Sequence, residues 1–278
     1  MPMPMTSPAP PAATTSPQRS PSGNGPRAKC DQVVFEAIAK AAEIVVASRC
    51  HLGGVEGSGA TTTGAESTSG FGRFNLLVPE VKSVRNILQR WKRTMHVPLR
   101  LDVYYQHPRK QQQSNNREDQ PGGGGGEREL LERWCLEYAP SSSSNRSGDE
   151  FYNNGVNNNA DPIVQLRKVC KSIVVWLRTL YCHSRLLPAQ ALRKNRAAFG
   201  GAGGGGSIGF SIYVVGEGQD DVSLLLKQGF DSEPKPPGGV GVPTPYGVLG
   251  WRVYTAPRGL VRKLVAAEEK EMAAARSP

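Results

Sequence analysis

The residue type in this chain best placed to do chemistry is arginine. Between Ile163 and Arg196 eight basic residues (Arg167, Lys168, Lys171, Arg178, Arg185, Arg193, Lys194, Arg196) occur without a single acid, against a formal net charge of +10 for all 278 residues. The planar arginine fork meets carboxylate or phosphate oxygens two at a time, so the chemistry on offer is non-covalent capture of an anion. On a helix advancing about 100° per residue, Arg167, Lys171, Arg178 and Arg185 fall within about 40° of one another. Val174 and Tyr181 interrupt this stripe, which reads either as a solvated basic face or as a site for an anion or acidic partner. Arg133, next to Trp134, and Arg178, in WLRTLY, are the first candidates to hold an anion, with Arg185 behind them. Trp134 itself reads as core.

Covalent and metal chemistry find little support. Gly201 to Gly206 satisfies G-x-G-x-x-G, but the run precedes a strand pattern instead of following one and opening a helix, so it lacks the context of a dinucleotide site. Neither glycine run leads into Lys and Ser or Thr, as a phosphate-binding loop requires. Cys50-His51 and Cys182-His183 are isolated pairs without the spacing that converges on one ion. The histidines (His51, His96, His107, His183) have no neighbouring carboxylate arrangement, no G-x-S-x-G elbow occurs, and the kinase triplets HRD and DFG are absent. The expectation is a protein that is not an enzyme and needs no metal or cofactor.

The elements that must position the arginines follow from periodicity. Leu166, Val169, Cys170, Ile173, Trp176, Leu177, Leu180 and Tyr181 recur at three- and four-residue steps and predict a long helix with one buried stripe. Pro188 predicts a break followed by a new first turn. Asp31 is the expected N-cap of a first helix running to about Arg49, with Val34, Ile38, Ala41, Ala42 and Val45 inward. Pro79 is expected to open a second helix, buried through Val81, Val84, Leu88, Trp91 and Met95. That helix is also basic, with Lys82, Arg85, Arg90, Lys92, Arg93 and Arg100 unaccompanied by acids from Val81 to Leu101.

Alternation with period two predicts four strands. Leu99, Leu101, Val103 and Tyr105 share one side of the first, and Leu130, Trp134, Leu136 and Tyr138 one side of the second. Ile208, Phe210, Ile212 and Val214 form the third, and Leu249, Trp251 and Val253 the fourth. Helices beside an antiparallel sheet make the fold class α+β.

Hydrophobic residues are 38% of the chain, too few for all of it to pack, and the low-complexity segments account for the deficit. Residues 1–29 are rich in Pro, Ser and Thr, hold no apolar run, and are expected to be disordered and not a secretory signal. Ser7-Pro8, Ser16-Pro17 and Ser20-Pro21 read either as proline-directed phosphorylation sites or as the composition of such a tail. Insertions fall near 53–70, 107–126, 141–161 and 200–206, leaving one domain over 30–258 and a short charged helix, or the start of a linker, over 259–278. No segment approaches the roughly 20 apolar residues of a transmembrane helix. Five unpaired cysteines at irregular spacing, two of them read as lying on the buried side of the long helix, point to reduced thiols in the cytosol.

Several blocks carry a family resemblance. KCDQVVFEAIAKAAEIVVASR at 29–49, FNLLVPEV at 74–81, LERWCLEY at 131–138, LRTLYCHSRLLPAQALRK at 177–194, IGFSIYVV at 208–215 and TPYGVLGWRVY at 244–254 resemble, in order, the amino-terminal domain of the autophagy-related protein 13 family within the HORMA superfamily. The resemblance implies about three helices on a small antiparallel sheet, with a carboxy-terminal safety-belt segment over roughly Phe210 to Tyr254. It implies an adaptor and regulatory subunit of the autophagy-initiating kinase complex, acting in autophagosome formation by HORMA-mediated protein–protein interaction. The implied partners are another HORMA protein (autophagy-related protein 101, where present), autophagy-related protein 9 and the phosphatidylinositol 3-kinase complex. The implied place is the cytoplasm with recruitment to the phagophore assembly site. Paired arginines that hold an anion are also a family feature, which favours Arg133, Arg178 and Arg185. Family members continue into a long kinase-binding tail, whereas this chain ends about one short helix after TAPR. The expectation is a fragment, or a protein that does not recruit the kinase through that tail. A second reading comes from charge alone: a basic module that binds nucleic acid or an anionic membrane. No RNP strand, KH loop or zinc finger accompanies the charge, and DNA is not expected as a partner.

Overall fold

In the computed structural model, the described residues are 25–50, 73–108, 127–140, 162–198, 206–214, 229–230, 235–276. The tail through residue 24 and most of each insertion lie outside them. The first helix, α1 (Pro26–Arg49), is buried almost all round from Val34 to Val46, including Glu36, Lys40 and Glu43. A helix covered on every side is one that neighbouring elements enclose. Its run of small residues, Ala37, Ala39, Ala41 and Ala42, leaves space for close approach. It starts four residues before the expected domain boundary at residue 30, with Gly25 at the N-cap and proline in its first turn. Asp31 is therefore an interior helical residue and not the cap, because Pro26 already supplies the preset φ of a first turn.

Residues 73–81 run across α1 as a strap. Phe74 and Asn75 take left-handed backbone angles (φ 67° and 53°), a conformation that costs non-glycine residues about 1 kcal/mol each. Pro79 lies in the strap, outside any helix, so the second helix, α2 (Lys82–Trp91), opens three residues later than expected, with Val81 in extended backbone as its N-cap. Val84, Leu88 and Trp91 form its buried face, as the periodicity predicts.

The sheet has five antiparallel strands in the order β3-β1-β2-β5-β4: β1 (Leu99–Gln106), β2 (Arg128–Pro140), β3 (Ser207–Val214), β4 (Lys235–Thr244) and β5 (Gly247–Thr255). One face, formed by Leu99, Leu101, Val103, Trp134, Leu136, Tyr138, Leu249, Trp251 and Val253, joins a single core with α1, α2 and α3 (Pro162–Leu186). The expected face of β2 needs one correction. Val103 pairs with Glu132 but Tyr104 pairs with Leu130, so Leu131 is an extra residue in the ladder and the alternation slips there. Leu130 consequently sits with Cys135, Phe230, Tyr254 and Ala256 on the far face, not with Trp134, Leu136 and Tyr138.

The strand β4, KPPGGVGVPT, is absent from the sequence-based expectation because of its prolines. It pairs only with β5, and an edge strand tolerates residues that cannot donate into a ladder. Beyond Pro188 the helix α4 (Gln190–Ala198) begins, as expected. Residues after 257 form α5 (Arg258–Arg276), whose Val261 and Leu264 pack with Leu192 of α4, Tyr105 and the bulge residue Leu131. The described residues thus hold five α-helices and one antiparallel sheet, an α+β domain.

Candidate interaction surface

The arginines of the chain fall into four different environments. At the C-terminal end of α1, Arg49 and Glu132 are both fully buried and face each other, the guanidinium Nη2 donating at 2.9 Å and Nε at 3.1 Å. The remaining donors of Arg49 reach the Gln190 side chain (2.7 Å) and the Ser184 carbonyl (2.6 Å), while the Trp134 indole donates to Glu132 Oε2 at 2.9 Å. One side chain therefore ties α1, β2, α3 and α4 together. A buried pair of this kind survives only when its spare hydrogen-bonding capacity is met, and here it is.

On the opposite sheet face Arg133 meets Asp102 with both prongs, Nε at 2.8 Å and Nη2 at 2.7 Å, and the Tyr213 hydroxyl donates to the same carboxylate at 3.1 Å. The planar ends stack as well, with the guanidinium carbon 5.8 Å from the Tyr213 ring centre. Because Trp134 and Glu132 face α1 and α3, alternation puts Arg133 on the far side of the sheet from Arg178 and Arg185. The three candidates do not converge on one site.

Within the basic run on α2, Arg85 is answered by acids from across the structure. Arg85 binds Glu36 (2.6 Å) and Glu43 (2.7 Å) of α1, and Lys40 reaches both Glu43 (2.8 Å) and the strap carbonyl of Val78 (3.1 Å). Burial would ease the proton off Arg85, but the hydrogen bonds it donates to Glu43 and Glu36 outweigh it and hold the guanidinium more firmly protonated than usual. Lys92 lies 5.0 Å over the Phe35 ring.

On α3 the situation reverses. Arg167, Lys168, Lys171, Arg178 and Arg185 are exposed, and none has an acidic partner among the described residues. Arg185 folds onto its own turn, donating to the Tyr181 hydroxyl at 2.8 Å with its guanidinium 4.7 Å over the ring. Beside it opens a cleft of about 270 Å³ lined by Ile44, Ser48, Leu77, Tyr181, Arg185 and Arg193 among others. Arg193 is half-buried there, without a hydrogen-bond partner among the described residues. Burial first, and then the like charges of Arg185 and Arg49, make it easier to deprotonate than an ordinary arginine. An anion entering the cleft would relieve that repulsion. Arg193 lay within the basic run, but nothing in its spacing marked it; only the turn at Pro188 folds α4 back and brings it to Arg185.

The cysteines are free. Cys30 and Cys135 are buried, whereas Cys182 is exposed and does not lie on the buried side of α3. Burial pushes the Cys50 and Cys135 thiols up to about 11. Among the described residues no three His, Cys, Asp or Glu side chains cluster as a metal site, and no helix is long and apolar enough to cross a membrane.

This is an α+β domain in which helices cover one sheet face and present an acid-free cationic surface outward. The chain belongs to the autophagy-related protein 13 family, whose model matches residues 35–212, more than half of the sequence. Among solved structures, an Atg13 HORMA domain matches over 82% of this chain and 92% of its own length, at 14% identity and a TM-score of 0.41. A chain of a mitotic checkpoint complex matches over 82% and 99%, at 12% identity and a TM-score of 0.40. A search of curated proteins returned no match.

Proposed function

We propose that this chain is a non-catalytic adaptor of HORMA type, a regulatory subunit of the autophagy-initiating kinase complex that acts in autophagosome formation by protein–protein contact. The observation that carries the reading is the family match over residues 35–212. Its partners on this reading are the kinase complex and a second HORMA protein such as autophagy-related protein 101, with autophagy-related protein 9 and the phosphatidylinositol 3-kinase complex beyond them. The protein works in the cytoplasm and is recruited to the phagophore assembly site. The strands β4 and β5, with the end of β3, fall within the segment assigned to the safety belt.

The acidic or phosphorylated group of a partner is held on the helical side of the molecule by Arg178 and Arg185, with Arg193 in the adjoining cleft. Arg133 is committed to Asp102 and would have to exchange that carboxylate for another anion to take part. Purifying a tagged chain from its own source and identifying what accompanies it tests the adaptor reading. Recovery of the kinase complex or a HORMA partner in stoichiometric amount is expected. Recovery of nucleic acid alone, or of no partner above an untagged control, would contradict it.

A further inference from the structure

The outward face of α3 combines two features that a merely solvated helix face does not need. The first is charge: Arg167, Lys168, Lys171, Arg178 and Arg185 are all exposed, and Pro162–Leu186 holds no acid. The second is protruding aliphatic surface. Val164, Val175 and Leu186 are exposed by 46%, 63% and 80%, although each belongs to a type usually turned inward.

Their spacing places these side chains together. Val164, Val175 and Leu186 recur at eleven residues, close to three full turns, so they stand on one line roughly 16 Å apart. At about 100° per residue the five cations fall within the same 100°-wide stripe. The result is a straight edge, roughly 33 Å long, on which aliphatic side chains alternate with cations. Past its C-terminal end stands Leu77 of the strap, 92% exposed and lining the same cleft as Tyr181 and Arg185. Of the described large hydrophobic residues that are exposed, Val164, Val175, Tyr181 and Leu186 lie on α3 and Leu77 adjoins it, with only Ile87 and Val214 elsewhere. The exposure is concentrated and not scattered.

We infer that this face docks the domain onto an anionic lipid bilayer, the cations meeting headgroup phosphates while Val164, Val175, Leu186 and Leu77 enter the boundary between headgroups and acyl chains. A bilayer answers both features at once: anionic lipid attracts each basic residue near its surface, and the interface takes up small apolar side chains. Nucleic acid would answer the charge but not the aliphatic row. The long side chains of lysine and arginine suit the geometry, since their stems lie along apolar surface while the charged ends reach the phosphates. This inference does not rest on the adaptor reading; it gives Arg178 and Arg185 to lipid phosphates, for which a partner's anionic group would compete.

Co-sedimentation of the full chain with vesicles tests it. Vesicles of phosphatidylcholine with 30% phosphatidylserine are compared with pure phosphatidylcholine at low and physiological salt. Binding to the anionic vesicles only, weakened by salt, is expected. Lys171→Gln/Arg178→Gln should weaken it by roughly 25-fold, about fivefold for each charge removed. Val175→Ser/Leu186→Ser should weaken it severalfold while leaving the salt dependence in place. Arg262→Gln/Lys263→Gln on α5 should leave it unchanged, with all variants checked for the wild-type circular dichroism spectrum. Absence of binding to anionic vesicles would overturn the inference. So would equal loss from the α5 variant, or wild-type binding by the α3 charge variant. Tight binding of a phosphorylated peptide to this face, with no vesicle binding, would assign it to a protein partner instead.

Discussion

Arg49 and Arg178 are the same residue type in the same basic chain, yet every guanidinium nitrogen of Arg49 is hydrogen-bonded, while Arg178 has no acidic partner among the described residues. Arg49 is enclosed by α1, β2, α3 and α4 and acts as a joint between them. Arg178 stands on the outward side of α3, with Lys171 one way and Arg185 the other. Between these extremes Arg85 and Arg133 each sit half-shielded with a carboxylate in reach. A run without acids in sequence is therefore not a run without acids in space. On α2, Arg85 is met by Glu36 and Glu43, each more than forty residues away in sequence, while the α3 cations are left to the outside.

The comparison breaks first at Glu132. Glu132→Ala strands a buried guanidinium and removes the acceptor of the Trp134 indole, so it should cost about 3–5 kcal/mol in denaturant unfolding. Arg49→Met/Glu132→Leu should recover part of that loss, because neither change leaves a buried charge behind. If Glu132→Ala unfolds like wild type, the joint is not structural. Arg85→Ala comes next, at about 2 kcal/mol, since it leaves Glu43 buried with only Lys40 and the Val81 N–H as partners. Arg133→Ala should cost about 1.5 kcal/mol by depriving Asp102 of its bidentate partner, read from the same unfolding curves. A loss within experimental error would mean that Arg133 is free for another role.

The smallest effect sharpens the contrast between covered and open positions through the thiols. With an alkylating reagent at pH 8, Cys182 should react in the folded protein. Cys135, which is buried, and Cys50, which is only partly exposed at the cleft, should lag by orders of magnitude, because thiol pKa values near 11 leave each thiolate in only about one molecule in a thousand. Peptide mapping of the modified protein reads the order. Raising the pH toward 11 increases the thiolate at both sites, so their protection should fall with rising pH. Early labelling of Cys135 would show that the far face of the sheet opens readily.

Periodicity made the helices and four strands legible because each buries a regular stripe: Val84, Leu88 and Trp91 on α2, or Leu99, Leu101 and Val103 on β1. What it did not reveal has local causes. The bulge at Leu131 carries no glycine or other marker, so the far-face position of Leu130 was hidden. The prolines of β4 spoke against a strand until its edge position excused them. Asp31 and Pro79 had the right residue types for a helix start, but Pro26 set the start of α1 earlier and Pro79 falls in the strap ahead of α2. For the surface, charge identified α3 correctly as basic and outward. Which arginines are committed depends on pairings across 31 or 83 positions, Arg133 with Asp102 and Arg49 with Glu132, and no spacing rule reaches that far.

The central claim is that recognition belongs to the uncommitted cations of α3 and not to the arginines that join elements. It is tested most directly by Arg178→Asp/Arg185→Asp, followed in parallel by thermal unfolding and by imaging of recruitment to sites of autophagosome formation. The account predicts a stability change within about 0.5 kcal/mol for each substitution, because both side chains lie at the surface, together with loss of recruitment. A double variant that keeps the wild-type unfolding transition and is still recruited at the normal level would contradict it.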